Sequence, residues 1–338
     1  MKVGLRSLAV FIPEEKVLAS DYAHLRSVMP SWITMPAEKR RFPDPQANEI
    51  MAVKVSKDAI ANAGLSAADI DLIICQSFGG RFIVPGLAGF VHKQIGCRRN
   101  TPAWNIQDIC ASFLDGCQIA TAMIRADQRT SNVLVIAVSA LETGGWGTDP
   151  SHPVASIMGD GGAAAVVSGT NVRGEFVAFN NDTYGEIYEP AVMAFDPPAH
   201  PELIQGTKWI VNKGGCGPHL TPEFDELFAT VLSDMVGAAI GGVATRGGVA
   251  LSSLDFIVAH QAFSGLLDIW KTRLEADGVS PSKWRSTWDK YGNVGAVDIP
   301  ITLADILANE GIPPGSLLAL FAPGGGGHTP AILMRWNG

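Results

Sequence analysis

Short, nearly unbroken apolar runs alternate with longer helix-patterned stretches along this chain, and no other feature narrows its folding options as much. Residues 71–75, 133–138, 163–167, 254–258 and 317–321 are such runs, with Val133-Leu134-Val135-Ile136-Ala137-Val138 the plainest. A strand that is apolar on both faces needs cover on both, as in a parallel sheet flanked by helices. Helical periodicity occupies residues 48–63, 113–125, 223–239 and 301–310. The alternation predicts α/β layers and argues against a β-sandwich or a helical bundle.

An internal echo accompanies it. Leu65-Ser66-Ala67-Ala68-Asp69-Ile70 and Leu251-Ser252-Ser253-Leu254-Asp255-Phe256 each run from a helical stretch into a strand. Two related halves, 1–170 and 171–338, would explain the repetition. Residues 180–222, rich in Gly and Pro, are the least periodic and read as an insertion or lid around a pocket.

The net charge of −8 gives no general field for nucleic acid. Lys39-Arg40-Arg41 is the one local basic cluster, fitting either a phosphate-bearing ligand or a solvated turn. No apolar run approaches the roughly 18 residues of a membrane span. The N-terminal stretch, interrupted by Lys2 and Arg6, lacks a signal-peptide pattern. Five cysteines, an odd number scattered through apolar segments, point to a reducing compartment rather than a disulfide framework. The expectation is a cytoplasmic protein that binds neither nucleic acid nor membrane.

Three side chains stand out chemically. Cys110, in Gln107-Asp108-Ile109-Cys110-Ala111-Ser112-Phe113, follows a strand-like run and opens a helix. Unpaired N–H groups at a helix start favour a thiolate, although a single Cys in apolar sequence is also an ordinary core residue. His260, in Val258-Ala259-His260-Gln261-Ala262, emerges where a buried strand ends. Asn293 sits in Gly292-Asn293-Val294-Gly295, a turn by composition. Gly159-Asp160-Gly161-Gly162 and Gly324-Gly325-Gly326-Gly327 lack the Walker ending and the spaced Rossmann glycines. The second run fits backbone brought close to a reacting group.

Taken in order, Asp108 to Phe113, Gly159 to Ala163, Ala259 to Ala262, Gly292-Asn293 and Gly325 to Thr329 resemble the β-ketoacyl-acyl carrier protein synthase III branch of the thiolase superfamily. The likeness spans essentially the whole chain. It implies a five-layered α-β-α-β-α fold of two duplicated halves, a homodimer, and a Cys-His-Asn triad of Cys110, His260 and Asn293. It also implies an oxyanion hole of Cys110, Gly326 and Gly327 backbone N–H groups. Acyl coenzyme A or acyl carrier protein thioesters are the implied substrates, with no bound cofactor or metal. The segment Phe82-Ile83-Val84-Pro85 resembles the part that crosses to the partner's acyl pocket, with Val84 limiting acyl size. Trp32 matches a tryptophan that stacks on the coenzyme A adenine.

The expected chemistry is acyl transfer to Cys110 followed by decarboxylative Claisen condensation with a malonyl-type thioester. Departures from the family pattern cluster around the substrate cradle. Ser112 replaces a Gly, Ile109 is bulkier than the customary Ala, and Phe263 and Gly265 follow His-Gln-Ala where Asn and Arg are usual. Pro36 stands where an Arg is expected, and His328 and Pro330 replace aromatic residues. Lys39, Arg40 or Arg41 would then substitute for the missing charge, and Ile109 and Phe263 would contact substrate. These changes suggest specialised, polyketide-type metabolism. They leave open an acyltransferase delivering to an alcohol or amine, and an inactive partner subunit of a ketosynthase heterodimer.

Overall fold

The computed structural model describes residues 1–27, 29, 33–78, 82, 84–141, 153–188, 191–195, 216–220 and 226–338. Its strands are β1 Gly4–Phe11, β2 Glu15–Leu18, β3 Glu38–Arg41, β4 Leu72–Phe78, β5 Ala103–Asn105, β6 Asn132–Ser139 and β7 Gly161–Ser168. They continue as β8 Gly174–Thr183, β9 Ala191–Phe195, β10 Cys216–Leu220, β11 Phe256–Ala259, β12 Trp284–Arg285, β13 Leu317–Phe321 and β14 His328–Trp336. The principal helices are α1 Ala47–Asn62, α2 Ala88–Ile95, α3 Ser112–Ala126, α4 Ser233–Arg246, α5 Ser264–Ala276 and α6 Asp298–Asn309.

Ten strands lie in the order β12-β11-β13-β14-β8-β1-β7-β6-β4-β5. The seam between β8 and β1 is narrow, pairing only Gly4 with Glu175 and Leu5 with Gly174. On each side of it the arrangement recurs. β4, β5 and β6 run parallel, as do β11, β12 and β13, with β7 and β14 returning antiparallel beside them. The five apolar runs read from sequence land on β4, β6, β7, β11 and β13. In β6 every residue after Asn132 is buried, which is why hydrophobic residues occupy both of its faces.

Helices supply the cover. α1 lies on β1, β6 and β7, while α4 lies on β8, β13 and β14. Between the sheets, α3 touches β4, β6 and β7 on one side and β14 on the other; α6 touches β1, β7 and β11. Three apolar clusters fill the gaps between layers, and the central one holds Phe113 and Leu114 from α3 with Ile299 and Ile301 from α6. This is the five-layered thiolase-like arrangement.

Three sequence expectations need adjustment. α6 begins at Asp298, three residues before the periodic pattern, because Pro300 falls in the first turn, where a missing N–H costs nothing. The helix expected over 223–239 runs on to Arg246 after a π-helical turn, Phe228–Leu232. Within the aperiodic stretch 180–222, β9 and β10 pair antiparallel, Cys216 opposite Phe195.

Phe113 is 2% exposed at the start of α3, wedged in the central cluster. Phe113→Ala is expected to destabilise the fold by about 3–5 kcal/mol, read as a lowered midpoint in denaturant unfolding.

Candidate active site

The chain leaves β5 and tightens into a 3-10 turn, Ile109–Ala111, that leads straight into α3. Ile109 there has φ of +43°, left-handed backbone that a β-branched residue adopts only under constraint. The constraint is visible. Ser112 Oγ accepts the Asp108 N–H at 2.8 Å, and the Ala111 N–H donates to Asp108 O at 3.1 Å. The Ile109 side chain packs against Phe78, Leu141, Val154 and Met158. Cys110 stands at the crest of this elbow, half-buried, ahead of the first turn of α3.

His260 directly follows β11, its N–H donating to Phe321 O at the end of β13. The ring is 2% exposed, and Nδ1 lies 2.7 Å from Asp298 Oδ2. That approach is close but not in line with the ring N–H, so it is a charge contact more than an aligned hydrogen bond. With Nδ1 turned to Asp298, Nε2 is the ring nitrogen left for Cys110, whose charge also acts on the imidazole. Burial pulls the imidazole pKa down, but the Cys110 charge and the close contact with the Asp298 carboxylate outweigh it and push it up to about 10.

Asn293 is held from both ends. Its Oδ1 accepts the Gly295 N–H at 2.8 Å and its Nδ2 donates to Ala262 O at 3.1 Å, which settles the amide orientation. Its backbone pairs with residues 157–159, with Asn293 N–H to Ile157 O and Gly159 N–H to Asn293 O both at 2.8 Å. Gly159 and Gly292 are glycines for this reason: a Cβ would sit 2.2 Å from Tyr291 O in one case and 2.3 Å from Ile157 O in the other. The Gly159-Asp160-Gly161 motif is thus the seat of the Asn293 loop, with Asp160 Oδ2 accepting the Phe42 N–H.

Asp298 is the site residue that sequence reasoning missed. It is 1% exposed; Oδ1 accepts the Val294 N–H at 2.8 Å and Oδ2 accepts the Gln261 N–H at 3.0 Å. One carboxylate therefore ties the loop after His260 to the loop after Asn293. Gln261 adds a second tie, its Oε1 accepting the Thr287 N–H at 2.7 Å. The available signal was an acid five residues beyond Asn293 in the first turn of an apolar helix, which reads equally as a dipole-compensating residue.

Of the other expected site residues, the glycine run lies against the elbow. A Cβ on Gly324 would meet Asp108 Oδ1 at 2.7 Å, and one on Gly325 would meet Ile109 Cδ1 at 3.0 Å. Gly326 and Gly327 both have positive φ, and the Gly327 carbonyl accepts the Tyr184 N–H at 3.0 Å. Phe263 caps the start of α5 and packs on the outer apolar cluster of the second half. Val84 is 84% exposed. Trp32 and Ile83 fall outside the described residues.

The basic triplet does not offer three free charges. Lys39 is 2% exposed, its Nζ donating to Ala155 O and lying 4.5 Å from the Tyr22 ring centroid. It is a packing residue and not a phosphate ligand. Arg40 pairs with Glu38 at 2.8 Å and Arg41 with Glu15 at 3.4 Å.

Beside the elbow lies a charged trio. His328 Nε2 is 2.9 Å from Asp115 Oδ1 and 3.9 Å from Asp108 Oδ2. The hydrogen bond to Asp115 leads in raising the His328 pKa, against the effect of burial. Burial first, then the Asp115 charge, push the Asp108 carboxyl up to about 7. An acid whose folded pKa lies above its ordinary 3.8 stabilises the fold while protonated, and that stability disappears as pH climbs through about 7. Asp108→Asn escapes the loss, so its melting temperature relative to the natural protein is expected to rise between pH 4 and pH 8. A pH-independent difference in thermal melts would count against this.

Residues 104–185 match the 3-oxoacyl-[acyl-carrier-protein] synthase III family, and residues 244–336 match that family's C-terminal part. The β-ketoacyl-[acyl-carrier-protein] synthase III of Rhodospirillum rubrum is 27% identical over 328 residues, covering 96% of either chain. The β-ketoacyl-[acyl-carrier-protein] synthase III 1 of Bacillus cereus is 28% identical over the full length of both. The crystal structure of 3-oxoacyl-[acyl-carrier-protein] synthase III from Aquifex aeolicus superposes with a TM-score of 0.79 at 23% identity, over 99% of this chain and 100% of that one. With its ordered motifs and layered fold, the chain belongs to the β-ketoacyl-acyl carrier protein synthase III-like branch of the thiolase superfamily.

Proposed function

We propose that the protein loads an acyl group onto Cys110 and condenses it with a malonyl-type thioester, releasing carbon dioxide and leaving a β-keto product. In the first half-reaction Sγ attacks the acyl carbonyl, and the backbone N–H groups of Cys110, Gly326 and Gly327 receive the tetrahedral oxyanion. In the second, decarboxylation leaves an enolate whose oxygen needs donors already in place. The observation that carries this reading is the fixed carboxamide of Asn293: Ala262 O takes one of its two N–H bonds, leaving the other to donate to an incoming oxygen. Simple acyl transfer has less need of that second donor.

Other features fit around this core. Ile109 lines the elbow, and with Phe263, Trp32 and Val84 it would shape the acyl and coenzyme A or carrier-arm sites. Phe82, Val84 and Trp104 are 60%, 84% and 42% exposed, the last on the sheet-edge strand β5. Such an apolar edge suits a second copy of the chain, making a homodimer. Repetition of the strand order about the β1–β8 seam suits duplication with its join near residue 170. The thiols of Cys75, Cys97, Cys110 and Cys117 are free, in keeping with a reducing cytoplasm. Among the described residues no helix is long and apolar enough to cross a membrane. Specialised metabolism remains the reading of the altered cradle.

One observation favours a second reading. A carboxylate facing Nδ1 keeps a proton there, so a neutral His260 presents Nε2 as an acceptor. That suits a general base for an incoming alcohol or amine, with the acyl group leaving Cys110 as an ester or amide.

Intact-mass measurement after exposure to a panel of acyl-coenzyme A donors is expected to show one acyl adduct, absent in Cys110→Ala. Asn293→Ala should still acylate but should condense roughly 10²–10³-fold more slowly, followed as carbon dioxide released from malonyl thioester. Undiminished condensation in that variant would remove Asn293 from the mechanism, and an ester or amide product without carbon dioxide would select the second reading.

A further inference from the structure

We infer that Asp298 is a positioning residue for the Cys110–His260 proton relay, fixing the ring without itself carrying a proton. The inference deepens the acyl-enzyme reading above and rests on it for the identity of the acyl donor. Its geometric basis is independent of that donor. Asp298 and His260 are 1% and 2% exposed, and their facing atoms are 2.7 Å apart. Both carboxylate oxygens are oriented by backbone N–H groups, from Val294 and Gln261, so the carboxylate cannot rotate away from the ring. Among the described residues, the titratable groups acting on the ring are Asp298 from α6 and Cys110 from the elbow.

The consequence concerns which nitrogen holds the proton. The Asp298 charge facing Nδ1 favours the hydrogen there in both ionisation states, even without an aligned hydrogen bond, and leaves Nε2 to exchange protons. In acylation, Sγ bonds to the acyl carbon and the proton it gives up is held on Nε2. The donor's carbon–sulfur bond then breaks, and its departing thiolate takes the proton from Nε2. The ring ends neutral, with a lone pair at Nε2. To donate to an enolate it must first regain a proton from solvent, whereas to accept a proton from an alcohol it is ready as it stands. Asp298 thereby makes the second half-reaction depend on pH in opposite senses for condensation and for transfer to oxygen or nitrogen.

The test compares the full-length protein with Asp298→Asn and Asp298→Ser, measuring Cys110 labelling by acetyl-coenzyme A and by iodoacetamide across pH. Near neutral pH both variants should label at least about tenfold more slowly, with the deficit shrinking as hydroxide replaces the relay. A deficit of equal size at every pH, or none at all, overturns the role. Iodoacetamide labelling that shows the pH-dependent deficit while acetyl-coenzyme A and other donors leave no adduct on the natural protein keeps the relay and rejects the thioester reading. Should neither variant fold, ¹⁵N NMR of labelled histidine in the natural protein decides, with His260 assigned by its loss in His260→Gln. Nδ1 protonated throughout, with only Nε2 titrating, upholds the relay; a neutral ring protonated at Nε2 overturns it.

Discussion

A single buried carboxylate, that of Asp298, accepts a backbone N–H from each of the two loops that carry His260 and Asn293, and it also faces the imidazole. A carboxylate this deeply buried is costly unless its oxygens are satisfied, and here every contact that satisfies it also sets a distance within the site. The loop after His260 comes off a parallel strand of the second half; the Asn293 loop is seated on residues 157–159 of the first. Geometry at the junction of the halves therefore depends on an acid in the first turn of α6. That helix is itself clamped between the sheets, so the carboxylate inherits the rigidity of the central layer.

Cys110 is positioned by a matching device in the other half. α3 occupies the central layer beside α6, and the elbow in front of it holds Ile109 in left-handed backbone. Local hydrogen bonding through Ser112 and packing of the Ile109 side chain offset the strain, which presents Cys110 outward while its neighbours stay packed. The glycine run from Gly324 to Gly327 can lie against that elbow because side chains there would collide with Asp108, Ala111 and Tyr184. Donors fixed in advance need no reorganisation when charge develops, which is what the proposed acyl chemistry would draw on.

Much of this was legible in the amino-acid order. β4, β6 and β13 are apolar on both faces and announce themselves, whereas Cys110, His260 and Asn293 stood out by their motifs, with only His260 directly following such a strand, β11. What stayed hidden has physical causes. β8 alternates buried and half-buried residues and ends in Asn180-Asn181-Asp182-Thr183, so its sequence resembles a loop more than a core strand. Lys39 looks like surface charge, yet tertiary packing over Tyr22 and a carbonyl partner bury it. Asp298 was unreadable because its partners lie 37 residues away at Gln261 and on the ring of His260, and no local pattern encodes such a contact. The Asp108–Asp115–His328 trio was invisible for the same reason, since His328 and Asp115 are 213 residues apart.

One carboxylate, that of Asp298, holds both loops. Amide hydrogen exchange at Gln261 and Val294 tests it in the natural protein and in Asp298→Ala. The two amides are expected to be protected together in the first and to lose protection together in the second, while amides of β6 and β13 stay as they were. Loss at only one of the two, or unchanged protection at both, would show that the loops are held by something other than Asp298.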